Sequence, residues 1–126
     1  MAFLKVETVV HDGAVVVAPV GDIDLATVLA FDAELRRAES YGLGVVVVDL
    51  RGVMFIGSSG LTALWSARER ARSRGRRLAL AGCSRHVMRL LKITGLDRHF
   101  EIVTDLADLR DAQSGRQDAS TERFRG

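Results

Sequence analysis

The amino-acid sequence predicts an α/β fold, a layered domain with a mixed β-sheet, an N-terminal β-hairpin and about four α-helices. The first observation is a pair of β-branched runs near the N-terminus that are joined by a short turn. The second is the alternation of strand and helix patterns along the rest of the chain. The third is the apolar run at 43–50, which is typical of a strand buried on both faces of a sheet.

The N-terminal hairpin is predicted from "FLKVETVV" and "AVVVAPV", which are separated only by "HDG". Asp12 and Gly13 supply the positive φ angles that a tight hairpin turn requires. The first helix is predicted after this hairpin, with Asp24 as its candidate N-cap and Gly42 at its end. One face of that helix carries an apolar stripe, formed by Val28, Phe31, Leu35 and Ala38.

The remaining elements follow the buried strand at 43–50. A second helix has its apolar stripe at Leu61, Leu64, Trp65 and Ala71, and it ends at Gly75. "RLALAG" predicts another strand. A third helix is capped by Ser84 and ends at Gly95, "HFEIV" predicts a short strand, and "TDLADL" predicts a last helix. We expect one domain over residues 1–111 and a polar, mobile tail over 112–126.

Composition favours a single domain that acts inside the cell. The chain has 126 residues, of which 48% are hydrophobic, and its 18 basic and 16 acidic residues leave a net charge of +2. This balance gives no general attraction to nucleic acid or membrane. Cys83 is the only cysteine, and there is no recognisable secretory signal, membrane span, metal motif or cofactor motif. We therefore expect a cytoplasmic protein without metal or cofactor.

The stretch "FIGSSGLTAL" places two serines at the point where a helix pattern begins. A nucleophile elbow needs Gly-x-Ser-x-Gly, but the fifth position counted from Gly57 is Leu61. The stretch also lacks the length and the lysine of a phosphate-binding loop. Catalysis is therefore poorly supported. The simplest structural interpretation is that Ser58 caps the helix and Ser59 lies in its first turn.

The stretch "VVVVDLRGVMFIGSSGLTAL" occurs with "GDID" upstream and "SRHVMRLLKITGL" downstream. With these motifs the chain resembles the anti-sigma factor antagonists of the STAS superfamily, and the resemblance extends from Phe3 to Leu109. It implies that Ser59 is phosphorylated by a partner serine kinase that is itself the anti-sigma factor, with Ser58 as the alternate acceptor. It also implies a partner-binding surface formed by the "GDID" loop and the start of the serine helix: Asp22, Asp24, Gly57, Ser58, Ser59, Gly60, Leu61 and Thr62.

The predicted function is to bind the anti-sigma factor and so release a sigma factor, until phosphorylation of Ser59 ends the binding. A phosphatase that acts on phosphorylated Ser59 is a further expected partner. Gly57 departs from the family pattern, which usually has Asp there. The alternative is a constitutive interaction subunit of a stressosome or of a lipid-transport ATPase complex, in which Ser59 is never modified.

The arginine series "RERARSRGRR" is the other conspicuous feature. Charged runs on helices are usually solvated faces, so we expect no direct binding of nucleic acid. The N-terminal hairpin also leaves an edge strand that permits dimerisation. The oligomeric state is therefore predicted to be a monomer or a weak homodimer.

Overall fold

A computed structural model describes residues 3–104 of the chain. The strands are β1 (Leu4–His11), β2 (Ala14–Ile23), β3 (Val45–Asp49), β4 (Val53–Ile56), β5 (Arg77–Ala81) and β6 (Glu101–Val103). The helices are α1 (Val28–Glu39), α2 (Ser58–Ser73) and α3 (Arg85–Thr94), and a short 3₁₀ turn spans Leu96–Arg98.

The described residues contain three α-helices, where about four were predicted. The missing one is the last helix, "TDLADL", which falls beyond residue 104 and so lies almost entirely outside the described residues. The predicted tail at 112–126 and the end of the predicted domain at residue 111 also lie outside them.

The N-terminal hairpin is confirmed. β1 and β2 pair in antiparallel fashion from Leu4 opposite Gly21 to His11 opposite Ala14. The two turn residues have positive φ angles, 52° at Asp12 and 79° at Gly13. This is the backbone twist that a two-residue hairpin loop needs to match the twist of its strands.

The sheet has six strands in the order β1-β2-β3-β5-β6, and β4 pairs with the end of β2. β2 runs parallel to both β3 and β4, and β3, β5 and β6 are parallel to one another, so the sheet is mixed as predicted. β3 lies between β2 and β5, and all five of its residues are buried. The central strand expected from the apolar run is therefore confirmed.

The core has two parts because residues alternate between the faces of each central strand. All three helices pack their buried side chains against one face, which presents Val15, Val17, Val46, Val48, Leu78 and Leu80. The opposite face presents a second buried cluster of small residues: Ala14, Val16, Val45, Val47, Ala79 and Ala81.

Both predicted ends of α3 are confirmed. The Ser84 hydroxyl accepts a hydrogen bond from the Val87 backbone N–H at 3.2 Å, as an N-cap should. Gly95 ends the helix in the left-handed conformation, with φ of 78°.

Candidate functional site

The site is positioned by β4, a strand that the sequence analysis did not identify. β4 runs parallel to the end of β2, with Asp22 opposite Phe55 and Ile23 opposite Ile56. The Gly57 backbone N–H then donates to the Ile23 carbonyl oxygen at 2.9 Å. Asp24 directly follows Ile23 in the sequence, and Ser58 directly follows Gly57. The "GDID" loop and the serine pair therefore lie side by side, as the resemblance implied.

The two serines occupy the first turn of α2. Gly57 is the N-cap residue, with extended φ and ψ of −98° and −175°, and it provides no side-chain cap. The predicted capping role of Ser58 is therefore wrong, because Ser58 is already the first helical residue. Its side chain is exposed, whereas Ser59 is half-buried. Within residues 3–104 neither hydroxyl has a hydrogen-bond partner.

The start of α2 leaves backbone donors available. The first hydrogen bond within the helix runs from the Leu61 N–H to the Gly57 carbonyl oxygen at 3.1 Å. The N–H groups of Ser58, Ser59 and Gly60 precede it, and no described group accepts from them. These donors and the helix dipole produce a positive potential beside the Ser59 hydroxyl.

Two of the predicted contact residues are largely buried. Gly60 is buried against both strands, because an added Cβ would lie 2.7 Å from Ile23 Cγ2 and 2.7 Å from Ile56 Cγ1. Leu61 is only 7% exposed and belongs to the main core cluster. Both residues therefore hold α2 against the strand ends. Thr62, in contrast, is exposed.

The Asp24 carboxylate is used within its own loop. Oδ1 accepts hydrogen bonds from the backbone N–H groups of Ala26 at 2.9 Å and Thr27 at 3.2 Å. α1 begins only at Val28, with Thr27 as its N-cap. Asp24 is therefore not the N-cap of α1 as predicted, because it closes a turn that precedes the helix. Asp22 is half-buried on β2, and its carbonyl oxygen accepts from the Thr27 hydroxyl at 2.7 Å.

Exposed apolar side chains occur on the same segments, and the sequence analysis missed them. Leu25 directly follows Asp24 and is 85% exposed, and Met54 on β4 is 78% exposed. Phe55 is 45% exposed and stacks against His86 of α3, with 6.0 Å between the ring centroids. Exposed large apolar side chains on neighbouring segments are a feature of protein-binding surfaces. The overlooked indication was "VMFI", which is short but apolar and β-branched at both ends.

A shallow apolar groove of about 390 Å³ runs along α2 beside Ser58. Its lining comes from α2, from the last residue of α3 and from the 3₁₀ turn: Ser58, Leu61, Thr62, Trp65, Thr94 and Leu96. Trp65, from the predicted apolar stripe of α2, is half-buried and packs against the edge of the core. The Trp65 ring lies edge-on to the His99 ring, with 5.5 Å between their centroids, and the Arg68 guanidinium lies 5.0 Å from the Trp65 ring centroid.

The arginine series is partly neutralised within the molecule. Arg70 makes two hydrogen bonds to the Glu39 carboxylate, at 2.8 and 2.7 Å, and these bonds raise the pKa of Arg70. Arg77 pairs with Glu101 across neighbouring strands. These pairs connect α2 to α1 and β5 to β6, so the structure gives this part of the series a structural role.

Burial raises the pKa of the half-buried Cys83 thiol to about 11. Among residues 3–104 there is no group of three or more metal-ligating side chains. No helix in this part of the chain is long and apolar enough to cross a membrane.

The six-stranded mixed sheet, the three helices on one face and the helix start beside a paired loop together define a STAS domain. The chain belongs to the STAS domain family, whose family model matches residues 5–109. It is 28% identical over 109 residues to the anti-sigma-F factor antagonist RsfB of Mycobacterium tuberculosis, which covers 86% of this chain and 88% of RsfB.

Solved structures agree with this assignment. An anti-sigma factor antagonist from Mycobacterium paratuberculosis superimposes with a TM-score of 0.80 at 27% identity, over 87% of this chain and 93% of that protein. The Bacillus cell fate determinant SpoIIAA in its phosphorylated form has a TM-score of 0.65 at 18% identity, over 87% and 99% of the two chains. The second likeness shows the shared fold alone.

Proposed function

We propose that this protein is an anti-sigma factor antagonist. It binds an anti-sigma factor that is also a serine kinase, which frees a sigma factor, and phosphorylation of Ser59 releases the kinase. The observation that carries the proposal is the position of Ser59, half-buried in a helix start with three unpartnered N–H groups beside the Asp24 loop. The names of the relatives from the two Mycobacterium species support the same function.

The proposed partner surface combines polar and apolar groups from three neighbouring segments. Ser58, Ser59 and Thr62 supply hydroxyl groups on α2, and Leu25 and Met54 supply exposed apolar area on the loop after β2 and on β4. A protein interface of this kind has an apolar centre that excludes water and polar groups that fix its orientation. Asp24 contributes by shaping the loop that presents Leu25.

Phosphorylation acts on binding through charge and size. A phosphoryl group adds about −1.5 to −2 charge and three strong acceptors. The free N–H groups at the start of α2 accommodate this charge in the unbound protein. A docked partner that had covered the neutral hydroxyl must instead bury a bulky dianion, which costs several kcal/mol. Binding is therefore lost while the fold is kept.

The test uses the intact protein as bait in lysate from its own cells, in parallel with Ser59→Glu. Ser73→Glu is the matched control, because it adds the same charge at the exposed far end of α2. We expect the unmodified protein and the control to retain a kinase-like ATPase that Ser59→Glu does not retain. The purified ATPase should then phosphorylate the unmodified protein and Ser58→Ala, but not Ser59→Ala.

Two results would contradict the proposal. Equal retention of the same partners by Ser59→Glu and the unmodified protein, with no phosphate on Ser59, would identify a constitutive interaction subunit. Phosphate on Ser58 with an unmodified Ser59 would mean that Ser58, and not Ser59, is the phosphorylated residue. Reversal by a phosphatase is examined in the same material, by following the loss of phosphate from Ser59 and the recovery of ATPase binding.

A further inference from the structure

Strand β1 is an open edge of the sheet. It pairs with β2 along its whole length, and no other strand of the described residues lies on its far side. The strand is eight residues long, and three of its side chains, Lys5, Glu7 and Val9, are exposed on one face together with that of Phe3 just before the strand. Phe3 is 64% exposed and Val9 is 53% exposed. An edge of this length and composition is a template for pairing with another strand.

The hydrogen-bonding direction of β1 fixes which groups face outward. The Phe3 carbonyl oxygen accepts from the Asp22 N–H at 3.0 Å, so Phe3 directs its backbone groups toward β2. Neighbouring residues of an antiparallel strand alternate in this direction. Leu4, Val6 and Thr8 therefore direct their N–H and C=O groups toward the open edge.

The charges on β1 favour one register for pairing with a second copy of the same strand, because only that register places Lys5 opposite Glu7. An antiparallel pair centred on Val6 joins the outward-directed groups of Leu4, Val6 and Thr8. In this register Lys5 of each copy lies opposite Glu7 of the other. Centring the pair on Lys5 or on Glu7 would instead place like charges opposite each other, which is unfavourable.

The side chains of Lys5 and Glu7 are available for this contact. Both are exposed, and neither has an ion pair within residues 3–104. In the register centred on Val6 they fall at a non-hydrogen-bonded position, where facing side chains lie closest together. The same register places Phe3 of one copy opposite Val9 of the other, so apolar area is buried at both ends of the contact.

We propose that the protein forms a two-fold symmetric homodimer by antiparallel pairing of β1 with β1 of a second copy, centred on Val6. The contact is self-complementary, as a two-fold dimer requires. It uses only one strand from each copy. The area buried on each copy is therefore smaller than the ~800 Å² per partner of a standard interface. The dimer is therefore weak and forms reversibly with concentration. This inference does not depend on the proposed antagonist function.

The test is sedimentation velocity over a range of concentrations, with a charge exchange between β1 residues. Lys5→Glu and Glu7→Lys each place two like-charged pairs in the contact, so each should raise the dissociation constant about tenfold or more. The double variant Lys5→Glu/Glu7→Lys restores opposite charges and should dimerise like the unmodified protein. Circular dichroism of all three variants checks that the fold is kept.

A mixture of the two single variants gives the sharpest outcome. Lys5→Glu has two acidic side chains on the strand and Glu7→Lys has two basic ones, so the mixture should form a heterodimer more tightly than either variant forms a homodimer. The proposal is overturned if the unmodified protein stays monomeric at all concentrations. It is also overturned if a dimer forms that neither single variant weakens, because a different surface must then hold it.

Discussion

Replacing Gly60 with Ala tests how α2 is held against the strand ends. The added Cβ would lie 2.7 Å from Ile23 Cγ2, 2.7 Å from Ile56 Cγ1 and 3.1 Å from Ile56 Cδ1. Both isoleucines are completely buried, one on β2 and one on β4. Neither side chain can move into solvent, so α2 must shift away from the sheet or the isoleucines must leave their preferred rotamers.

The two contributions to the free energy of unfolding have opposite signs. Overpacking of this kind costs about 1–3 kcal/mol. Alanine is favoured over glycine in a helix by up to ~1 kcal/mol. We therefore expect Gly60→Ala to lower the free energy of unfolding by about 1–2 kcal/mol. For a domain of this size that is a fall in Tm of roughly 5–10 °C.

Urea unfolding followed by circular dichroism measures this difference directly. Gly44→Ala is the matched control, because an added Cβ at Gly44 meets nothing within 4 Å and its φ is not positive. The control should be as stable as the unmodified protein or slightly more so. If Gly60→Ala matched the control, the close approach of α2 to Ile23 and Ile56 would not limit the position of the helix.

Three further outcomes are expected. Gly57→Asp should be tolerated and should raise the free energy of unfolding by a few tenths of a kcal/mol in urea titrations. An added Cβ meets no atom closer than a Phe55 ring carbon at 3.4 Å, and a carboxylate at the N-cap bonds free N–H groups. A fall in the free energy of unfolding would mean that the Phe55 ring cannot move aside. Burial raises the pKa of Asp49, but hydrogen bonds from Arg51 outweigh it and lower the pKa overall. The ionised carboxylate therefore stabilises the fold above its unfolded pKa of about 3.9. The excess stability of the unmodified protein over Asp49→Asn should vanish as the pH falls through the lowered pKa of the folded state. A stability difference that persists at lower pH would contradict this account. Burial raises the pKa of Cys83 to about 11, so its alkylation by iodoacetamide at pH 8 should be at least about tenfold slower in the folded protein than in urea. Equal rates would show that the thiol is accessible and ionised in the folded protein.

Most of the fold was predictable because its elements have strong local patterns. The hairpin turn followed from Asp12 and Gly13, and the central strand followed from its unbroken apolar run. α3 was predicted with both of its ends, since Ser84 and Gly95 each have a specific backbone role there. Such features depend on residues close together in the sequence, which is why they can be recognised without the structure.

The errors lie where distant segments determine the local structure. β4 has only four residues, and two of them are exposed, so its pattern is too short to predict a strand. It forms because β2 extends past β3 and offers backbone groups for pairing. The same pairing makes Gly57 the N-cap of α2, by bonding its N–H to Ile23. Ser58 was therefore assigned a capping role that the preceding residue takes.

Gly57 also bears on whether a phosphoryl group at Ser59 is compatible with the folded state. Its lack of a side chain leaves the N–H groups at the start of α2 without a carboxylate neighbour from the same helix. In the adjoining loop, the Asp24 carboxylate accepts hydrogen bonds from N–H groups of its own turn. Both features favour an added negative charge at Ser59.

The stability of Ser59→Glu therefore separates loss of binding from loss of fold. A negative charge in the first turn of a helix contributes about 0.3–1 kcal/mol of stability, and the same charge in the last turn costs a similar amount. Ser59→Glu should have a Tm equal to or above that of the unmodified protein, and Ser73→Glu should have a lower one. If Ser59→Glu were instead the less stable of the two, its failure to bind a partner would reflect a damaged α2 and not the charge that phosphorylation adds.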